Sequence, residues 1–174
     1  ELKTINAATN GAITLNTTNV ALSGSVADLK AAFDGTVTTH TGTVNISDAA
    51  YDANDPVLIA ATDITTINTA CTGTITVSNA IRISGTGSEV EAAFAAIDTN
   101  TGNASANITG NTYNVAQLKA INAATTGEIV LVDSSAALSG SSADIADAFA
   151  GTVTQHTGSV TVTNNSWLAT DLQI

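Results

Sequence analysis

Asp48, Asp52, Asn54 and Asp55 fall in one short stretch, SDAAYDANDP. Carboxylate and amide oxygens at that density are the hard donors that Ca²⁺ takes. Their spacing does not follow the EF-hand loop, and turns and caps draw on the same residue types. They are the candidate Ca²⁺ ligands, and no other cofactor is expected. His40 and His156 are the other groups with coordination chemistry. They hold the same place in two repeated strings, TTHTGTVNIS and TQHTGSVTVT, and Asn100 fills that place in a third. In a stacked array they fall four coils apart, on the order of 19 Å at one strand spacing per coil. They cannot then share an ion, and a hydrogen bond to a neighbouring coil is the expected use of each.

Nucleophilic chemistry finds less support. Cys71 stands where Thr9 and Thr125 stand in sister copies, which suits a small core residue better than a reactive thiol. As the single cysteine it forms no intramolecular disulfide. There is no nucleophile elbow to carry a Ser–His–Asp triad, so no catalytic residue is assigned and no enzyme is expected. A polysaccharide lyase, the enzyme class nearest to such a chain, gathers basic and acidic groups in one cleft. Here only four Lys and Arg are scattered over 174 residues.

The same charge balance bounds the partners. Net charge is −11, with fifteen Asp and Glu. Nucleic-acid binding needs a cationic footprint, and an anionic membrane surface repels such a chain. No apolar run approaches the ~20 residues that cross a bilayer. Aromatics make up only 3% of the chain, against 44% apolar residues rich in Ala, so the core must be thin.

Residues that recur must be held by elements that recur. Residues 1–58 align without a gap on 117–174, ELKTINAATNGAITL over QLKAINAATTGEIVL, and a third copy lies between them. The units run about 1–62, 63–116 and 117–174 of a single repeat array. Each divides into halves that open on a glycine: Gly11, Gly42, Gly73, Gly102, Gly127 and Gly158. Apolar residues follow two and four places later, as in Val44/Ile46 and Ile75/Val77, the alternation of a strand with one buried face. The outward residues Thr14, Asn45, Thr76, Ser105, Val130 and Thr161 predict one row on the sheet. A uniform threonine row could bind ice or sugar, but this one is mixed and Val130 interrupts it, so a solvated face is expected.

Helical spacing follows each strand. SVADLKAAF, TGSEVEAAFAAI and SSADIADAF each begin with hydroxyl-x-x-acid, the capping-box signature. Their apolar residues, Val26, Leu29 and Phe33 in the first, recur at helical spacing. The intervening helices are ELKTINAATNG, DITTINTACTG and QLKAINAATTG, with Asn114 as N-cap of the last and the terminal glycine as the stop. Asp55 and Pro56 predict a short added helix in the insertion 52–60. Tyr51, Tyr113 and Trp167 are expected packing anchors.

One strand–helix coil cannot bury both of its apolar faces alone, and stacked coils can. The expected architecture is an α/β solenoid of coils of about 25–31 residues, with a parallel sheet on one side. An all-β right-handed solenoid is the alternative, favoured by Thr and Val and opposed by the capping boxes. Both ends of the sequence cut through a unit, which suggests an internal fragment of a longer tandem-repeat protein.

The strings LSGSVADL and LSGSSADI, ISGTGSEV, and the two INAAT stretches resemble the tandem repeats of very large surface proteins of marine cyanobacteria. They are also similar to cyanophage structural proteins and to segments labelled calcium-binding or haemolysin-like. The resemblance covers essentially the whole chain and transfers no catalytic residue. It implies an extracellular, cell-surface or virion-surface role that is S-layer-like, adhesive or fibrous. The partners expected are neighbouring repeats, with self-assembly into a filament or lattice. The glycine-rich Ca²⁺ nonapeptide of toxin β-rolls is absent. A Ca²⁺-stabilised adhesin for glycan, surface or ice is the competing expectation, and loss of thermal stability on chelation would favour it.

Overall fold

The computed structural model describes residues 1–164. Among these residues the fold is mixed α/β, with six helices and parallel sheets. In order it runs α1 (Leu2–Ala7), β1 (Leu22–Gly24), α2 (Val26–Phe33), β2 (Val44–Ile46), β3 (Ile59–Ala60), α3 (Ala61–Ala70), β4 (Ile75–Val77) and β5 (Arg82–Gly85). It continues with α4 (Gly87–Ala96), β6 (Thr99–Asn100), β7 (Ser105–Ile108), α5 (Val115–Ala124), β8 (Ile129–Leu131), β9 (Leu138–Gly140), α6 (Ser142–Ala148) and β10 (Val160–Val162). The six helical segments read within the repeats are helices, and the seventh, in the insertion 52–60, is not.

The caps explain where the helices begin. Ser25, Thr86, Asn114 and Ser141 each accept a hydrogen bond from the backbone N–H three residues on. At Thr86 and Asn114 the reciprocal bond, from the cap's own backbone N–H to the Glu89 or Gln117 side-chain oxygen, completes a capping box. Each satisfies donors that the helix itself leaves orphaned. Thr86→Ala is expected to cost about 1 kcal/mol, read as a shift in the urea midpoint with unchanged slope.

Strand pairing is parallel throughout, in the orders β1-β2-β4-β6, β3-β5-β7-β8 and β9-β10. The single sheet expected from the sequence is thus divided. Five of the six glycine-led runs are strands, and in the first Ile13 makes an isolated bridge to Val37. The strands missed at 22–24, 59–60, 82–85, 99–100 and 138–140 are two to four residues long, too short to carry an alternating signal. Consequently the outward row is split. Asn45 and Thr76 are neighbours on one sheet, Val130 pairs with Asn107 on another, and Thr161 with Ser139 on the third. Ser105 lies on the face opposite Ala106 and Ile108 yet is buried, its hydroxyl accepting from Arg82 Nε and donating to the Ile81 carbonyl.

Each helix packs on the one before and the one after it in the chain, from α1·α2 through α5·α6. The apolar faces of helices and strands meet in one layer. Ile64, Ile67, Leu118 and Ile121 from the helices join Val44, Ile46, Ile75, Ile83, Ile108 and Ile129 from the strands, all without solvent exposure. Val26, Leu29, Phe33, Val90 and Phe94 extend it. The core is thin and aliphatic, as composition requires.

Two expectations fail for identifiable reasons. No helix forms at Pro56: Asp52 Oδ1 accepts the Asn54 backbone N–H at 2.8 Å, and Asp52 bridges Asp55 instead. An aspartate side chain that bonds the backbone two residues on competes with helix formation. Nor do the glycines stop the helices, since α1, α3 and α5 end at Ala7, Ala70 and Ala124. Gly73 and Gly158 are instead points where backbones touch. A Cβ on Gly73 would lie 2.0 Å from Gly42 O, and one on Gly158 2.1 Å from Ala136 O.

Candidate functional site

The acidic stretch is divided between two tasks. Asp48 follows β2, and its Oδ2 accepts the Val26 N–H at 2.7 Å, an orphan donor at the start of α2. Asn164 does the same for Ser142 N at 2.9 Å. Asp52, Asn54 and Asp55 lie together in the next turn. Hydrogen bonds from the Asn54 N–H and amide hold the Asp52 carboxyl below its usual range. Among the described residues no three His, Cys, Asp or Glu side chains converge as a metal would need.

Cys71 is buried, and burial pushes its thiol up to about 11. A thiol so far from ionisation is a poor nucleophile. His40 and His156 are each inserted beside a phenylalanine, Phe33 and Phe149, with ring centroids 5.8 Å apart in both cases. Tyr113, also buried, places its hydroxyl 3.2 Å from His156 Nδ1, the cross-layer hydrogen bond expected of that histidine. Tyr51 carries the Arg82 guanidinium 3.9 Å from its ring centroid. Trp167 lies outside the described residues.

Burial lowers the pKa of both histidines, which are stored neutral. The unfolded chain binds protons at the ordinary value near 6.5. Stability is therefore full above that value and is lost as pH falls towards the depressed folded values. Denaturation midpoints measured between pH 7 and 5 should fall for the wild type. They should fall less for His40→Asn with His156→Asn, since asparagine already fills the equivalent site at residue 100. The carboxylates of Asp28, Glu89 and Asp144, held low chiefly by Lys3, the Thr86 backbone N–H and Lys119 respectively, act in a separate window below the usual carboxylate range.

Sequence reasoning missed a set of side-chain bonds that reach the next helix or strand. Lys3 pairs with Asp28, Lys30 with Asp63, Lys119 with Asp144 and Asp147, and Arg82 with Glu128. These are all four cations of the chain. Asn6 donates to the Ala31 and Asp34 carbonyls at the end of α2, and Asn122 to Asp147 O near the end of α6. Thr38 Oγ1 accepts from Leu15 N, and Thr154 Oγ1 from Leu131 N. The bonds of the first unit recur in the third at equivalent residues. Their signal in the sequence was the Asn of each INAAT string, which has no role within its own helix.

Among the hollows at the ends of the helix row are two with largely apolar linings. One, of about 470 Å³, is lined by Leu2, Ile5, Leu15, Val20, Leu22 and His40 among others. The other, of about 460 Å³, is lined by Phe149, Val153, His156, Gly158 and Val160 with two polar neighbours. Neither gathers an acid, a base and a nucleophile. The comparisons add no relative, for no family model, curated protein or solved structure matches the chain.

Proposed function

We propose that the chain is a structural repeat without enzymatic activity, built as an α/β solenoid and serving as a spacer, lattice or fibre element of a long extracellular or virion-surface protein. One observation carries the reading: side-chain bonds between successive helices and strands recur at separations of 22 to 25 residues, at equivalent positions of the first and third units. A chain whose recurrent side chains are committed to neighbouring layers keeps few of them for a ligand. Arrays of this kind are stabilised by neighbour contacts and extend by adding units. The resemblance to tandem repeats of cyanobacterial surface proteins and cyanophage structural proteins supports the same reading. The sheet edges and end layers supply the surfaces on which neighbouring repeats would assemble.

The test is where the parent polypeptide resides. Mild protease treatment of intact cells or particles of the source, followed by mass spectrometry, should release peptides of this chain from a large surface polypeptide. Recovery only from the soluble interior fraction would contradict the proposal. Calcium is tested separately. With Asp48 bonded to α2, adding a chelator is expected to leave the melting temperature unchanged, and a fall of several degrees would restore the adhesin reading.

A further inference from the structure

We propose that the Asp55–Pro56 peptide bond is a self-scission site, cut in mild acid by the Asp55 carboxyl, and that the two pieces stay stacked as one body. The surface-protein reading neither requires this nor excludes it. Pro56 is the only proline, so the bond is the backbone's single tertiary amide. It lies in the insertion 52–60, and the shorter link 109–114 before α5 has neither aspartate nor proline. Residues 52–58 are all exposed, and β3 begins only at Ile59.

The two aspartates of this turn are not equivalent. Asp52 Oδ1 is taken by the Asn54 N–H and side-chain amide, at 2.8 and 2.9 Å. The Asp55 carboxyl makes no hydrogen bond or ion pair among the described residues, so its oxygen is free to turn on its own carbonyl carbon. Attack there forms a cyclic anhydride and breaks the bond to the Pro56 nitrogen. That nitrogen keeps the electron pair of the broken bond and takes a proton, which is why acid drives the step. The ring carbon on it makes it more basic than an ordinary amide nitrogen and a better leaving group. Water then opens the anhydride. Asp55 becomes a C-terminus and Pro56 a secondary-amine N-terminus, one water is consumed, and nothing is oxidised or reduced.

Both stems of the loop are anchored on the next coil. Tyr51 N–H donates to the Ala80 carbonyl at 2.9 Å, and Ile59 pairs with Ile83. The coil below goes directly from Ala80 to Ile83 where this one goes from Tyr51 to Ile59, so the residues between are surplus to the layer. Cutting them leaves the contacts between pieces 1–55 and 56–174 in place. β2 stays paired with β4 through Val44↔Ile75 and Ile46↔Val77, all without solvent exposure. α2 stays packed on α3, with Lys30 on Asp63.

The scission is read by intact-mass spectrometry after incubation at about pH 3, below the ordinary carboxylate value. Pieces 1–55 and 56–174 should appear, their masses summing to the whole chain plus one water. Asp55→Ala should lose both products and Pro56→Ala most of them, each variant keeping the wild-type circular dichroism at neutral pH because its site is exposed. No cut, an equal yield of cuts elsewhere, or a cut that survives Asp55→Ala overturns the scission and leaves the layered packing intact. The joining is read at neutral pH, on a chain with a protease recognition sequence inserted after Asp55, where an exposed loop tolerates insertion. After cutting, sedimentation should give one body of the whole mass with unchanged circular dichroism. Pieces that sediment apart overturn the joining, and the layered packing with it.

Discussion

Gly73→Val unfolds the centre of the molecule. A Cβ there would sit 2.0 Å from Gly42 O and 2.6 Å from both Gly42 C and Thr41 O, all of them backbone atoms that cannot rotate away. Relief requires β2 and β4 to separate at Val44↔Ile75, a pair whose side chains are fully buried. Overpacking of a core costs about 1–3 kcal/mol and occasionally more, and a clash with rigid backbone belongs at the upper end. A loss of about 3 kcal/mol or more is expected in urea unfolding. Gly11→Val is the control, because its nearest neighbour is the Thr9 hydroxyl at 3.3 Å and no backbone lies in the way. It should cost little, and equal effects at the two sites would show that layer contact is not what glycine provides.

The second large effect separates three isoleucines that the sequence makes alike. Ile67→Ala or Ile121→Ala removes a side chain with no exposed surface, held between two helix neighbours and the sheet. Truncations of that kind cost about 2–5 kcal/mol, made up of lost transfer energy and the cavity left behind. Ile5→Ala, at 53% exposure, should cost under about 1 kcal/mol. The measurement is urea denaturation of the three variants at one protein concentration, low enough to be monomeric. Three equal losses would mean that the end layer is covered within a single chain.

These contrasts also mark how far the sequence could be read. The helices were legible because their evidence is local: a hydroxyl, an acid three residues on, and apolar residues at helical spacing. Val26, Leu29 and Phe33 needed no knowledge of distant residues. Strands were half legible. Val44 and Ile46 alternate visibly, but Leu22–Gly24 offers one apolar residue in three and gives no period. The glycines were misread because a stop and a close approach look the same in sequence. Only the neighbouring layer, whose backbone runs against Gly73, distinguishes them.

The candidate ligands show the same limit. Oxygen density at Asp48 to Asp55 was plain, yet the group that takes Asp48 is the Val26 N–H, 22 residues earlier. No pattern within the stretch points there. Asn6 and Asn122 were passed over because asparagine in a helix usually faces solvent. Their carbonyl partners lie 25 and 28 residues on for Asn6 and 25 for Asn122, in the next helix. A repeat read as a repeat gives the unit and its layers, and the bonds between layers require the pairing register.

Excision of residues 63–116, joining residue 62 to residue 117, tests the layered account most directly. The two cut points are equivalent in the repeat, so α5 should take the place of α3 against α2. The account predicts a folded, cooperatively unfolding chain with parallel-sheet and helix signals, and with a urea slope reduced roughly in proportion to the surface removed. A chain left unfolded by losing its middle third would mean one indivisible core, and would contradict the account.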